Sequence, residues 1–127
     1  MFIAGLAFSI LAALLHVFIF YMESIAWTSE KTRATFNLTQ DEADNTKEMA
    51  FNQGFYNLFL AVEIVVGIIL HINGNPAGMS LILFGAASMF AAALLLFVTS
   101  PDKRGTAAKQ GTLPVLALIC LLLSLIP

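Results

Sequence analysis

Apolar residues run almost without interruption through four stretches of the chain, and polar residues collect between them. The stretches cover about 2–27, 49–70, 79–98 and 112–126. Each has roughly the 20 residues that cross a hydrocarbon core as a helix, although the fourth is short and would need local thinning or apolar flanks. Breakers separate them: a polar run "TSEKTRATFNLTQDEADNTK", a tight "HINGNPAG", and "TSPDKRGTAAKQG". Pro114 is then expected near the first turn of the last helix, where a missing amide costs least. Short connections favour antiparallel neighbours. The pattern predicts an all-α polytopic membrane protein, a single domain over 1–127, folded as an antiparallel four-transmembrane-helix bundle.

Composition agrees. Of the 127 residues 59% are hydrophobic and 11% charged, with a mean hydropathy of +0.87. A water-facing domain carries about 25% charged residues. The net charge of −2 gives no reason to expect nucleic acid as a partner; the lipid bilayer is the expected one. The lone Cys120, inside an apolar run, has no intramolecular disulfide partner and no activating cation in sequence. The N-terminal run lacks a basic flank and exceeds a signal peptide's apolar core, so it reads as a retained helix.

Basic residues set the expected orientation. Lys31, Arg33 and Lys47 lie in the first connection, and Lys103, Arg104 and Lys109 in the third. With four spans these connections share a side, which the bias of Lys and Arg toward the cytoplasm makes the inner one, with both termini outside. Within the first connection, Thr39 and Glu42 have the spacing of a capping box, which starts a helix leading into span two; a solvated acidic loop is the alternative.

Ionisable groups within spans are costly and need partners or water. His16 and Glu23 are seven residues apart, about 20° around an α-helix, with Phe20 between them and Trp27 one turn further. In span two, Asn52, Tyr56, Phe59 and Glu63 recur at helical spacing, and Gln53 and Asn57 form a second stripe beside them. Antiparallel alignment puts Glu23 level with Gln53, and His16 within about 5 Å of the depth of Glu63. The expected site is therefore a pocket in which His16, Glu23 and Glu63 act as acid–base or proton-coupling groups. Phe20, Trp27, Asn52, Gln53, Tyr56 and Asn57 would bind the ligand, with the aromatics able to face a cation. The competing expectation is that these groups only pin helices together. His71 reads as an interfacial loop residue. No metal-ligand spacing or cofactor motif is present, so no metal and no cofactor is expected.

His16, Glu23 and Trp27 together with "FNQGFYN", "SPDKRG" and "KQGTLP" resemble a family of small four-span bacterial membrane proteins known only as a domain of unknown function. The resemblance covers almost the whole chain and implies a multi-pass protein of the bacterial plasma membrane, without an activity. In residue types alone, the set is similar to emopamil-binding sterol isomerases. Three functions stay open: a pocket for a small amphipathic or lipidic molecule, with isomerase-type proton transfer there; a proton-coupled transporter resembling the small multidrug family in size; and a non-catalytic assembly partner. The Ala/Gly-rich "FGAASMFAAA" of span three offers a face for a homodimer.

Overall fold

The computed structural model describes all residues from Met1 to Pro127. Helix α1 (Phe2–Phe20) passes directly into a π-helical turn, Tyr21–Ile25, closed by the Ala26 amide donating to the Tyr21 carbonyl at 2.9 Å. Such a turn carries an extra residue and shifts the helical phase of whatever follows. At Ala26 the backbone leaves helical geometry, with φ −115° and ψ 24°. Trp27 thus lies beyond the first helix, which ends at Ile25 and not at residue 27.

A short helix α2 (Glu30–Phe36) comes next. Ser29 caps it by accepting from the Thr32 amide, and Asn37 ends it in the left-handed region at φ 55°. Helix α3 (Gln40–Ile72) starts at a capping box: Thr39 and Glu42 bond each other's backbone amides reciprocally, both at 3.1 Å. The chain is therefore helical from Gln40 into the span, with no acidic loop directly before Met49. At about 1.5 Å per residue the 33 residues of α3 extend about 50 Å, well beyond a hydrocarbon core of about 30 Å. Its first turns project past the lipid.

The tight connection between α3 and α4 (Ala77–Thr99) uses Gly74 at φ 78°, and Asn75 Oδ1 accepts from the Ala77 amide at 3.0 Å. After a 3₁₀ turn, Pro101–Lys103, helix α5 runs from Arg104 to Ser124. It begins eight residues before the expected 112, so the fourth helix is not short. "GTAAKQG" reads as loop by its glycines, yet Ala107 and Gly111 are buried, and Gly111 fits beneath Ala93 of α4. Packing overrides propensity there. Pro114 sits inside the helix instead of at its start.

Four helical stretches are long and apolar enough to cross a membrane: Phe2–Ile25, Gln40–Ile72, Ala77–Thr99 and Pro101–Ser124. They form a ring in which α1 touches α3 and α5, α4 touches the same two, and α1 and α4 lie on the diagonal. Sequence neighbours are antiparallel. The core is narrow and built of small residues, with Ala12, Ala13, Ala61, Ala86 and Ala117 around Ile64, Ile82, Met89 and Leu121. Large side chains such as Leu14, Phe18, Phe59, Phe84 and Leu95 point outward. That inversion suits a chain whose surroundings are lipid, where small residues let backbones approach. All six basic residues fall at the end of the bundle where α1 and α4 finish and α3 and α5 begin. Thr106 Oγ1 donating to the Thr35 carbonyl at 2.6 Å ties α2 to α5 at that end.

Candidate functional site

The π-helical turn brings two consecutive polar side chains against α3. Glu23, 8% exposed, accepts from Asn57 Nδ2 at Oε2, at 2.8 Å; the same amide donates to the Gln53 carbonyl at 3.2 Å. Ser24 Oγ donates to the Phe51 carbonyl at 2.7 Å, one turn before Phe55. Gly54 makes this approach feasible, because a β-carbon there would collide with the Ser24 hydroxyl. Burial of an unpartnered carboxyl is costly, and the Asn57 bond offsets part of that cost.

Above Glu23 an open cleft of about 440 Å³ faces the charged end of the bundle. Glu42, Thr46, Met49, Ala50 and Gln53 form one wall as a single face of α3. Opposite are Glu23, Trp27, Leu38 and Lys103. The indole of Trp27 donates to Thr46 Oγ1 at 3.0 Å, and Thr46 in turn donates to the Glu42 carbonyl at 2.7 Å. The ring also leans on Phe36, with centroids 5.1 Å apart. Trp27 is thus fixed in place by α2 and α3 although no helix carries it. Lys103 is paired with Asp102 at 2.8 Å, and this is the sole ion pair of the protein. With that cation offset, the cleft presents two carboxylic side chains, Glu23 and Glu42, beside an aromatic ring.

Not all the residues expected to share a pocket meet. Glu23, Gln53, Asn57 and Trp27 come together; His16, Glu63, Tyr56, Asn52 and Phe20 do not join them. His16 is buried, and its Nδ1 lies 2.8 Å from the Ala12 carbonyl, so the ring N–H donates to its own helix. Glu63 turns toward α4, where its carboxyl lies about one van der Waals contact from a β-carbon placed on Gly85. Asn57 and Glu63 are six residues apart, about 120° around the helix, so they face different neighbours. Tyr56, 64% exposed, and Asn52 are on the outer surface. Phe20 packs edge-on against Phe55, with centroids 5.0 Å apart. Of the two stripes on α3, the one facing α1 is Gln53–Asn57, flanked by the small residues Ala50, Gly54 and Ala61.

Four polar contributors were absent from the expected site, Ser24, Glu42, Thr46 and Lys103, as were the apolar lining residues Leu38, Met49 and Ala50. Thr46 and Glu42 carried a usable signal, being three and four turns before Asn57 on the same helical face. Ser24 carried none, since an unbroken α-helix would have turned it elsewhere. No three His, Cys, Asp or Glu side chains gather closely enough to hold a metal ion.

No curated protein and no solved structure significantly matches the chain. A family profile described as "Protein of unknown function (DUF1304)" matches residues 10–122, a stretch that includes the π-helical turn, the cleft, the second and third spans and most of the first and fourth. The protein is therefore a multi-pass membrane protein and belongs to the DUF1304 family.

Proposed function

We propose that the cleft binds a small amphipathic molecule with a cationic or hydrogen-bond-donating head group. The single observation that carries this reading is the pairing of a buried, amide-held Glu23 with the ring of Trp27 in one open cleft, next to a lysine already paired with Asp102. A carboxylate and an indole face both attract an ammonium group, and both strengthen as water is excluded. Leu38 and Met49 offer the apolar contact for the rest of the molecule.

Binding is favoured over acid–base catalysis. Proton transfer needs a second positioned group within reach of the ligand; His16 and Glu63 are turned to other neighbours, and the Glu42 carboxylate is engaged by the Thr39 amide in the helix cap. The charged end is proposed to face the cytoplasm, with the termini on the other side, from the clustering of all six basic residues there.

Trp27 is the only tryptophan, so its emission reports directly on the cleft. Titration of the purified protein with hexyltrimethylammonium should give a saturable change in Trp27 emission, which hexanoate should not. Glu23→Gln keeps a partner for Asn57 yet removes the charge, and should weaken the cationic response about tenfold or more. A non-saturating response, or equal binding by Glu23→Gln, overturns the proposal.

A further inference from the structure

The outer side of α3 carries polar groups that the protomer leaves without partners. Asn52, Tyr56, Phe59, Glu63, Val66 and Leu70 follow one another at steps of four, three, four, three and four residues, the spacing of the seam between two coiled helices. Asn52, Tyr56, Phe59 and Val66 are exposed, and Glu63 and Leu70 are half-buried. Within the span, Asn57 is the one side chain of α3 that hydrogen-bonds, and its partners, Glu23 and the Gln53 carbonyl, are on the inner side. No polar side-chain atom sealed inside the bundle lacks a partner, so the unpaired oxygens of Glu63 open to the surface.

Depth makes this exposure costly. Counting about 20 residues back from Ile72 puts Asn52 at the edge of the hydrocarbon and Glu63 near its middle. Lipid tails can neither donate nor accept there, and an ionisable side chain at such depth turns to protein or water. An apolar face would need no cover; this one does.

We infer that the stripe is the contact of a two-fold dimer, in which a second copy of the chain lays its own α3 along it. Copies inserted with one orientation are related by an axis along the membrane normal, which sets each residue at the depth of its counterpart. An amide, a phenol and a carboxylic acid each donate and accept, so Asn52, Tyr56 and Glu63 each complement themselves. Symmetry thus supplies the depth match that an unrelated helix would have to build. The small residues of α4 are less available, because Gly85, Ala86 and Ala93 are already buried within the protomer. The dimer is independent of what the Glu23 cleft binds.

Two measurements on the full chain in lipid vesicles test this. The first is oxidative crosslinking in a Cys120→Ala background. Phe59→Cys should form disulfide-linked dimers at least about fivefold more than Ala92→Cys, an exposed site at about the same depth on α4. The second is energy transfer between donor- and acceptor-labelled copies on dilution with lipid. Asn52→Leu and Glu63→Leu should each weaken association about fivefold or more, since each change removes a bonding group from both copies. Glu63→Gln, which still donates and accepts, should stay within about twofold of the unaltered chain. Unfolding in SDS should be unchanged in Asn52→Leu, because Asn52 holds nothing within the protomer. Equal or greater crosslinking at residue 92 overturns the inference, as does unchanged association in the two leucine variants. A chain that is monomeric at every lipid dilution overturns it too.

Discussion

The two ends of the bundle are held by different physics. At the charged end, helices meet through directed hydrogen bonds: Glu23–Asn57, Ser24–Phe51, Trp27–Thr46 and Thr106–Thr35. At the other end they meet through missing side chains. Gly78 of α4 lies so close to α3 that a β-carbon would strike the backbone at His71 and Gly67; Gly5 of α1 receives Leu121 of α5. The buried polar groups of α1 away from the charged end, Ser9 and His16, bond to carbonyls of their own helix and cross to no neighbour. Lipid supplies no hydrophobic drive between helices, so contact area gained by close approach has to hold one end. The other end can use polar bonds because several of its groups are already satisfied where the helices emerge toward water.

The sharpest way to break this contrast is Gly78→Ala. The clash is with backbone, which cannot rotate away, and the expected loss is about 2–3 kcal/mol in reversible unfolding by SDS titration. Asn57→Ala comes next. It leaves the buried Glu23 carboxyl without its partner, and a loss of about 1–2 kcal/mol is expected by the same measurement. Ser24→Ala should cost only about 0.6 kcal/mol, the mean for interhelical bonds in membrane bundles, because the Phe51 carbonyl keeps its place in the α3 ladder. Were Ser24→Ala as damaging as Gly78→Ala, the two ends would not differ as described. The smallest effect is that of Thr46→Val, which removes the acceptor of the Trp27 indole. Stability should change by less than about 0.5 kcal/mol, while Trp27 emission shifts in wavelength as the ring loses its fixed partner.

Much of the architecture was legible in the hydropathy pattern. The four spans, the capping box at Thr39 and the collection of basic residues at one end follow from residue order alone. What misled were glycines and phases. The glycines of "GTAAKQG" resemble a loop, but in a membrane bundle Gly111 is a packing residue that continues the helix beneath Ala93. On α3, the stripe with the more conspicuous chemistry, Asn52–Tyr56–Glu63, does not form the inner face. The small residues Ala50, Gly54 and Ala61 mark the inward face, and following them would have chosen Gln53 and Asn57.

Sequence alone determined how many times the chain crosses the membrane and which end gathers charge, because both depend on the cost of placing polar groups in hydrocarbon, a property of each residue by itself. Tertiary structure decided which polar groups meet. One π-helical turn at Tyr21–Ile25 reorients Glu23 and Ser24 toward α3 and releases Trp27 from the helix. That turn exists because α3 is close enough to receive both side chains, and closeness depends on glycines some 30 residues away in the chain rather than on anything local to the turn.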